Sequence, residues 1–317
     1  MTRIRSKDAF AALLALSFSL LPLSAIMPVQ ADPAANTAQP LPFLTIEGTG
    51  GGAITPTAYL SNPTPNAKGI GKPSFAVDYI NFGKKSNTAI LGAETLFGRL
   101  ELSVGADQLQ LGTLPAAITK ATGVDIGKSS ATLYSFNARY LLLKESPNIP
   151  AVTFGVSYKD NSDISAISSS LNSVTGGKGL GVIGYKGSTG EDYTLTATKL
   201  FPKVAAHPLI LTGGLLESKA ADVGFLGFGS KDSTSFEGHV IYLPTSNIVL
   251  AYEYRGQVNP YNEDLAPLVG KTNNWNAFDA GYIINPNSTI VVGYGQFGNL
   301  ANESANSSFW VQLKDNL

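Results

Sequence analysis

The stretch RLELSVGAD, residues 99–107, decides the fold. Arg99, Glu101, Ser103 and Asp107 share one parity, and Leu100, Leu102, Val104 and Ala106 share the other. Successive side chains of a strand point to opposite faces. The stretch therefore reads as a strand with one apolar and one polar face. In a soluble sandwich the apolar face would meet a core. In a membrane barrel it meets lipid, and the charges face an enclosed lumen.

The rest of the chain chooses between the two. The N-terminus MTRIRSK carries Arg3, Arg5 and Lys7; an apolar run and VQA at 29–31 follow. A basic start, an apolar middle and small residues before the cut are the marks of a secretory signal peptide. Cleavage is expected after Ala31, with Ala25 as the alternative. The run is short for a membrane anchor, which needs about 20 apolar residues, and Pro22 interrupts it. The chain has no cysteine, so disulfides do not hold it. Charged residues are 14% of the chain, against roughly 25% in ordinary soluble domains. The net charge of −1 leaves no basic footprint for nucleic acid. Few charges, 33 glycines and many tyrosines and phenylalanines fit a membrane β-barrel, whose hydrophobicity is hidden in alternation.

Twelve stretches alternate over about the length of a tilted membrane strand: 74–82, 88–96, 99–108, 131–142, 150–159, 192–200, 208–217, 234–242, 246–255, 275–284, 288–297 and 307–314. In the clearest, Tyr134, Phe136, Ala138 and Tyr140 oppose Ser135, Asn137 and Arg139, and Leu250, Tyr252 and Tyr254 oppose Ala251, Glu253 and Arg255. The stretch 208–217 is apolar on both parities and its facing stays open. After the first link, short and long connections alternate. That is the pattern of short periplasmic turns and longer outside loops. Tyr140, Tyr158, Tyr242, Tyr254 and Tyr282 lie near strand ends on the apolar parity, where an interfacial girdle belongs. The expected fold is all-β: a closed antiparallel transmembrane β-barrel of about 12 strands (14 being the alternative), because an open edge would leave backbone groups unpaired in lipid. It divides into a signal peptide at 1–31, a Gly/Pro-rich segment at 32–70 and the barrel at 71–317.

FGRLELSV, YTLTATKLF at 193–201, VGFLGFGSKD at 223–232, the closing FDAGYIINPNSTIVVGYGQFGNL and the Gly-rich GTGGGAITPTAYL at 48–60 resemble a Gram-negative family, the domain of unknown function numbered 3034. The resemblance covers most of 48–313 and implies an outer-membrane barrel. It carries over no catalytic or binding residue. Many outer-membrane barrels end on an aromatic residue, whereas here KDNL follows Leu313.

No catalytic constellation is expected. Of two histidines, His207 lies in a short turn and His239 shares the inward parity with Glu237. Ser235 has that parity too, but four residues along a strand is about 13 Å, too far for a hydrogen bond. No G-x-S-x-G elbow is present. No metal spacing appears, and DNSD at 160–163 lacks the calcium-loop pattern. The glycines of 176–187 lack the strand and helix of a phosphate loop, and 164–174 reads as a short helix in an outside loop. No cofactor is expected. By parity the lumen holds Arg99, Glu101, Asp107, Arg139, Lys159, Glu237, Glu253, Arg255 and Asp279, together with Asp78 and Glu94. These charges either pair to pin the wall or line a narrow water path. Lys199 falls on the lipid parity near a strand end, where it should reach the interface.

Two function classes follow: a narrow channel for small solutes, or a non-conducting structural or interaction barrel whose loops meet ligands. A membrane enzyme ranks below both. The expected partners are outer-membrane lipid and the outer-membrane assembly machinery. The segment 32–70 is either a tail or a partial plug. LPFLTIEG at 41–48 is apolar and alternating, unlike a solvated tail, and the glycines at 48 and 50–52 let a backbone pass close to a wall.

Overall fold

The computed structural model describes residues 43–64, 68–261 and 268–317. The expected signal peptide and the start of the N-terminal segment lie outside the described residues.

Twelve strands close into one antiparallel barrel. They are β1 (Ser74–Asn81), β2 (Ser86–Leu96), β3 (Leu100–Gln110), β4 (Ser130–Leu143), β5 (Ala151–Asp160), β6 (Thr189–Val204), β7 (His207–Ala220), β8 (Phe228–Tyr242), β9 (Ile248–Arg255), β10 (Trp275–Ile283), β11 (Ser288–Gln296) and β12 (Ser308–Asn316). Each pairs with its neighbour in sequence, and β12 closes on β1 from Phe309 opposite Asn81 to Asn316 opposite Ser74. Closure leaves no edge, so every strand has two partners for its backbone groups.

The outward faces carry Val77, Tyr79, Ile90, Val104, Tyr134, Phe154, Leu195, Leu215, Phe236, Leu250, Phe278, Val292 and Leu313, all exposed. A soluble monomer does not display an apolar surface that runs right round it. This one is a lipid-facing belt. Tyr158, Tyr193, Tyr252 and Tyr134 stand toward the long-loop end, and Tyr140 and Tyr282 toward the short-turn end.

Two strands, β7 and β2, carry apolar residues on both faces, and the cause lies in the lumen. On β7, Ile210 and Leu216 point inward and Leu211 and Leu215 outward. On β2, Leu91 points inward and Ile90 outward. Ile210 shares one apolar cluster with Phe43, and Leu91 shares another with Leu44. Both partners belong to the segment before the barrel, so these stretches of wall meet grease on each side.

At the long-loop end, α1 (Leu114–Thr122) follows β3 and α2 (Ser162–Ser170) follows β5. The helix α1 starts with Pro115 in its first turn and stops at Gly123, whose φ of 75° lets its N–H bond to the Thr119 carbonyl. The helix α2 falls in the loop where a helix was expected. Its start is capped by Asn161, whose side chain accepts from the Ile164 N–H. Ile118 of α1 and Ile164 and Ile167 of α2 join Phe225, Leu226, Tyr261, Trp275, Phe297 and Trp310 in one apolar cluster over the mouth.

Candidate functional site

Residues 43–61 fold inside the barrel. Phe43–Leu44 pair with Gly50–Gly51, and Thr45 and Ile46 donate to the carbonyls of Thr49 and Ala53. The segment starts beside Val249 and Ala251, near the short-turn end. Its tip, Ile46, Ala53 and Ile54, reaches the apolar cluster under the long loops. It returns to Tyr59, which donates to Glu145 in a short turn at 2.5 Å. Apart from Tyr59, which is half-buried, every residue from 43 to 61 is buried. The composition suits the place. Gly52 lies so close to Glu253 that a Cβ there would meet a carboxylate oxygen at 2.3 Å. Gly48 has φ +92°, and a Cβ would lie 2.4 Å from the Val104 carbonyl oxygen of the wall.

Wall charges hold this plug in three groups. Arg139 grips Glu101 with two bonds, Nε to Oε1 at 2.8 Å and Nη2 to Oε2 at 2.7 Å. Glu101 also accepts the N–H groups of Gly50 at 3.2 Å and Ser61 at 2.6 Å. Glu253 accepts three successive plug N–H groups, from Ala53 at 2.6 Å, Ile54 at 3.2 Å and Thr55 at 2.8 Å. Successive N–H groups form an anion-binding concavity, and Glu253 fills it. The Thr55 hydroxyl donates to Glu253 at 2.5 Å and meets His239 Nδ1 at 2.7 Å. In the third group the plug supplies the charge. Glu47 takes Arg255 Nη1 at 2.7 Å and also binds Lys159 Nζ. Lys159 reaches Asp192 at 2.5 Å, and Arg255 lies 3.8 Å from Glu237. The network thus crosses the lumen from β5 and β6 to β8 and β9. Burial opposes the charge on Glu47, but Arg255 and Lys159 outweigh it and hold the carboxyl down at about 2.

Of the residues expected in the lumen, Glu101, Asp107, Arg139, Lys159, Glu237, Glu253, Arg255 and Asp279 lie on the inward parity and are buried, as is Asp78. Arg99 needs correction. It shares the parity of Glu101 but sits in the tight turn before β3, half-buried, with Nη1 donating to the Leu141 carbonyl at 3.2 Å. Glu94 is corrected as well: it lies opposite Leu102 on the outward face of β2. Asp192 and Lys314 occupy inward positions that the parity argument passed over. The inward wall therefore carries seven acids (Asp78, Glu101, Asp107, Asp192, Glu237, Glu253, Asp279) and four bases (Arg139, Lys159, Arg255, Lys314). Lys199 stands at the short-turn rim, 3.1 Å from Glu145.

A cavity beside the plug, lined by Glu47, Arg139, Asp192, Glu237 and Arg255, measures about 10 Å³. That is room for about one water.

The family model for the protein of unknown function DUF3034 matches residues 43–314. The chain belongs to this family. The match begins at the plug, so plug and barrel lie within the same family unit. No curated protein matches the chain. Among solved structures, the NanC porin aligns with 77% of this chain and 98% of its own at 11% identity and a TM-score of 0.45. The KdgM porin aligns with 77% and 99% at 10% identity and 0.46. The outer membrane phospholipase A of Escherichia coli aligns with 78% and 98% at 9% identity and 0.35. Likeness at this level says nothing about solute or activity.

Proposed function

We propose that this DUF3034 protein is an outer-membrane channel for small solutes, closed in the state described by its own residues 43–61. One observation carries the reading: the wall holds the plug largely through carboxylates, guanidinium groups, hydroxyls and amides. Water can take over each of these bonds when the plug leaves, so withdrawal exposes a largely hydratable lumen, apolar only where Phe43, Leu44, Ile46 and Ile54 pack. On this reading the short turns face the periplasm, the belt meets outer-membrane lipid, and insertion depends on the outer-membrane assembly machinery. A solute-conducting wall fits better than an enzyme. The Thr55 hydroxyl beside His239 is committed to Glu253, and Ser235 has no hydrogen-bond partner in the described structure. The apolar cluster over the mouth favours a second reading, a barrel that never conducts and whose loops meet ligands.

Planar-bilayer recording separates the two. The mature chain should give small or no current steps. A chain lacking residues 43–61 should conduct, with a modest cation preference from the seven acids against four bases, while still changing its gel migration on boiling. Equal conductance of the two chains would overturn the channel reading.

A further inference from the structure

Most wall–plug bonds go to main-chain atoms. Leu44 is held at both its N–H and its C=O by the single side-chain amide of Gln312, at 3.0 and 2.7 Å, as a neighbouring strand would hold it. Ala58 is held at both ends by two hydroxyls. Its N–H donates to Thr198 Oγ1 at 2.8 Å, and its C=O accepts from Thr153 Oγ1 at 2.6 Å. Arg139 Nη1 donates to the Thr57 carbonyl at 2.5 Å, and Asn137 to the Glu47 carbonyl at 2.7 Å. None of these bonds depends on the side chain at the residue gripped. Phe43 and Leu44 do enter apolar pockets, but most of the segment after Glu47 is Gly, Ala, Thr and Pro.

We propose that the open lumen is a binding site for extended peptides, and that the plug is the peptide this chain binds to itself. The proposal rests on the reading that the plug leaves the lumen, and it names the solute class. A peptide taken out of water must regain partners for both its N–H and its C=O. The wall supplies both at residues 44 and 58, on opposite sides of the barrel. A sugar hydroxyl carries donor and acceptor on one oxygen, whereas Gln312 and the Thr153–Thr198 pair address a donor and an acceptor on separate atoms of one residue. The bore has room, since it already encloses the folded-back passes of 43–61.

The full-length chain tests this when the plug alone is unseated. Gly52→Leu brings a side chain against Glu253 and leaves every wall residue in place. Gly48→Leu does the same against the Val104 carbonyl and guards against failure of the first variant. Refolded in detergent, each variant is titrated by calorimetry with three probes. These are the synthetic peptide of residues 43–61, an unrelated peptide of equal length rich in small residues, and maltohexaose. Both peptides should bind and maltohexaose should not. Adding Thr198→Val should weaken peptide binding about fivefold, the effect of one net hydrogen bond, and Gln312→Ala, which removes two, about thirtyfold. The proposal is overturned if heat-modifiable, plug-released variants bind neither peptide, or bind maltohexaose as tightly. Calorimetry reads binding whether or not ions pass. Peptide binding without current would sink the channel reading and leave the site standing, and current without peptide binding would do the reverse.

Discussion

The plug and the outer cap close the same lumen by opposite chemistry. The plug is held by Glu101, Arg139, Glu253, Lys159 and Arg255, with its main chain as the usual partner. The cap is held by Ile118, Ile164, Ile167, Phe225, Phe297 and their neighbours, packed side chain on side chain. Polar bonds made in place of water are worth ~1 kcal/mol net, or about 1.5–3 where one group is charged, and water can replace either partner. Apolar burial is worth roughly 1.5–3 kcal/mol for a full side chain, and water offers nothing in its place. The plug is the part whose bonds solvent can replace, and the cap is the part suited to stay folded. Lys159 joins them, since it binds Glu47 of the plug and donates to the Val223 carbonyl of the β7–β8 loop at 3.0 Å.

The largest expected effect lies outside both. Leu102→Arg or Val156→Arg puts a charge on the lipid face and should cost roughly 2–4 kcal/mol of membrane folding. Ser103→Arg, on the inward face, should let the barrel form while displacing the plug, because Ser103 Oγ already accepts from Asn137 at 3.2 Å. Folding titrations into vesicles, followed by protease digestion, separate the outcomes. If the inward variant fails to fold as badly as the outward ones, the assignment of faces is wrong.

Glu253→Gln should loosen the plug and spare the cap. It weakens the acceptor for three N–H groups, and charge-assisted bonds carry about 1.5–3 kcal/mol each. Proteolysis within 43–61 should accelerate while the loop helices stay resistant. Equal sensitivity of both regions would mean that plug and cap unfold together.

The two regions should also differ in pH response. In the cap, Asp222 accepts from the Thr272 hydroxyl at 3.0 Å, and burial pushes its carboxyl up to about 7. The folded cap then binds a proton that the unfolded loop releases near pH 4. Cap stability should be greatest below that value and fall as pH rises toward about 7. Glu47 behaves in the opposite sense. With its carboxyl held down at about 2, its contribution is full above pH 4.5 and is lost as pH falls toward 2. Acidification from neutrality should therefore tighten the cap before it loosens the plug. Asp222→Asn should flatten the first trend and Glu47→Gln the second, as read by thermal melts from pH 3 to 8. A wild-type cap that weakens on acidification to pH 5 would contradict the assignment.

The outer face was legible in the sequence because lipid demands one parity from every strand. Tyr134 to Tyr140 and Leu250 to Tyr254 needed nothing more than alternation. The inner face was legible only where the lumen partner is polar. Leu91 and Ile210 broke the alternation because each belongs to an apolar cluster that Leu44 or Phe43 completes from inside. That is how Glu94 came to be set on the wrong side of β2. Arg99 extends the parity of β3 one residue before the strand starts, where a turn still directs the chain. Asp192 and Lys314 were visible by parity and were missed because each sits at the end of its stretch. The helix α1 shows little in sequence, since Leu114 and Ile118 are its only buried residues. Gln312, Thr153 and Thr198 could not be singled out, because an uncharged polar residue facing inward does not announce whether it meets water or main chain.

The most direct measurement is hydrogen exchange of individual plug amides in the folded protein. If the wall holds the plug, the N–H groups of Gly50, Ala53, Thr55, Ala58 and Ser61 exchange orders of magnitude more slowly than in the free peptide, and Glu253→Gln speeds Ala53 and Thr55 selectively. Exchange of all five at the free-peptide rate, in a barrel whose strand amides stay protected, would contradict the account.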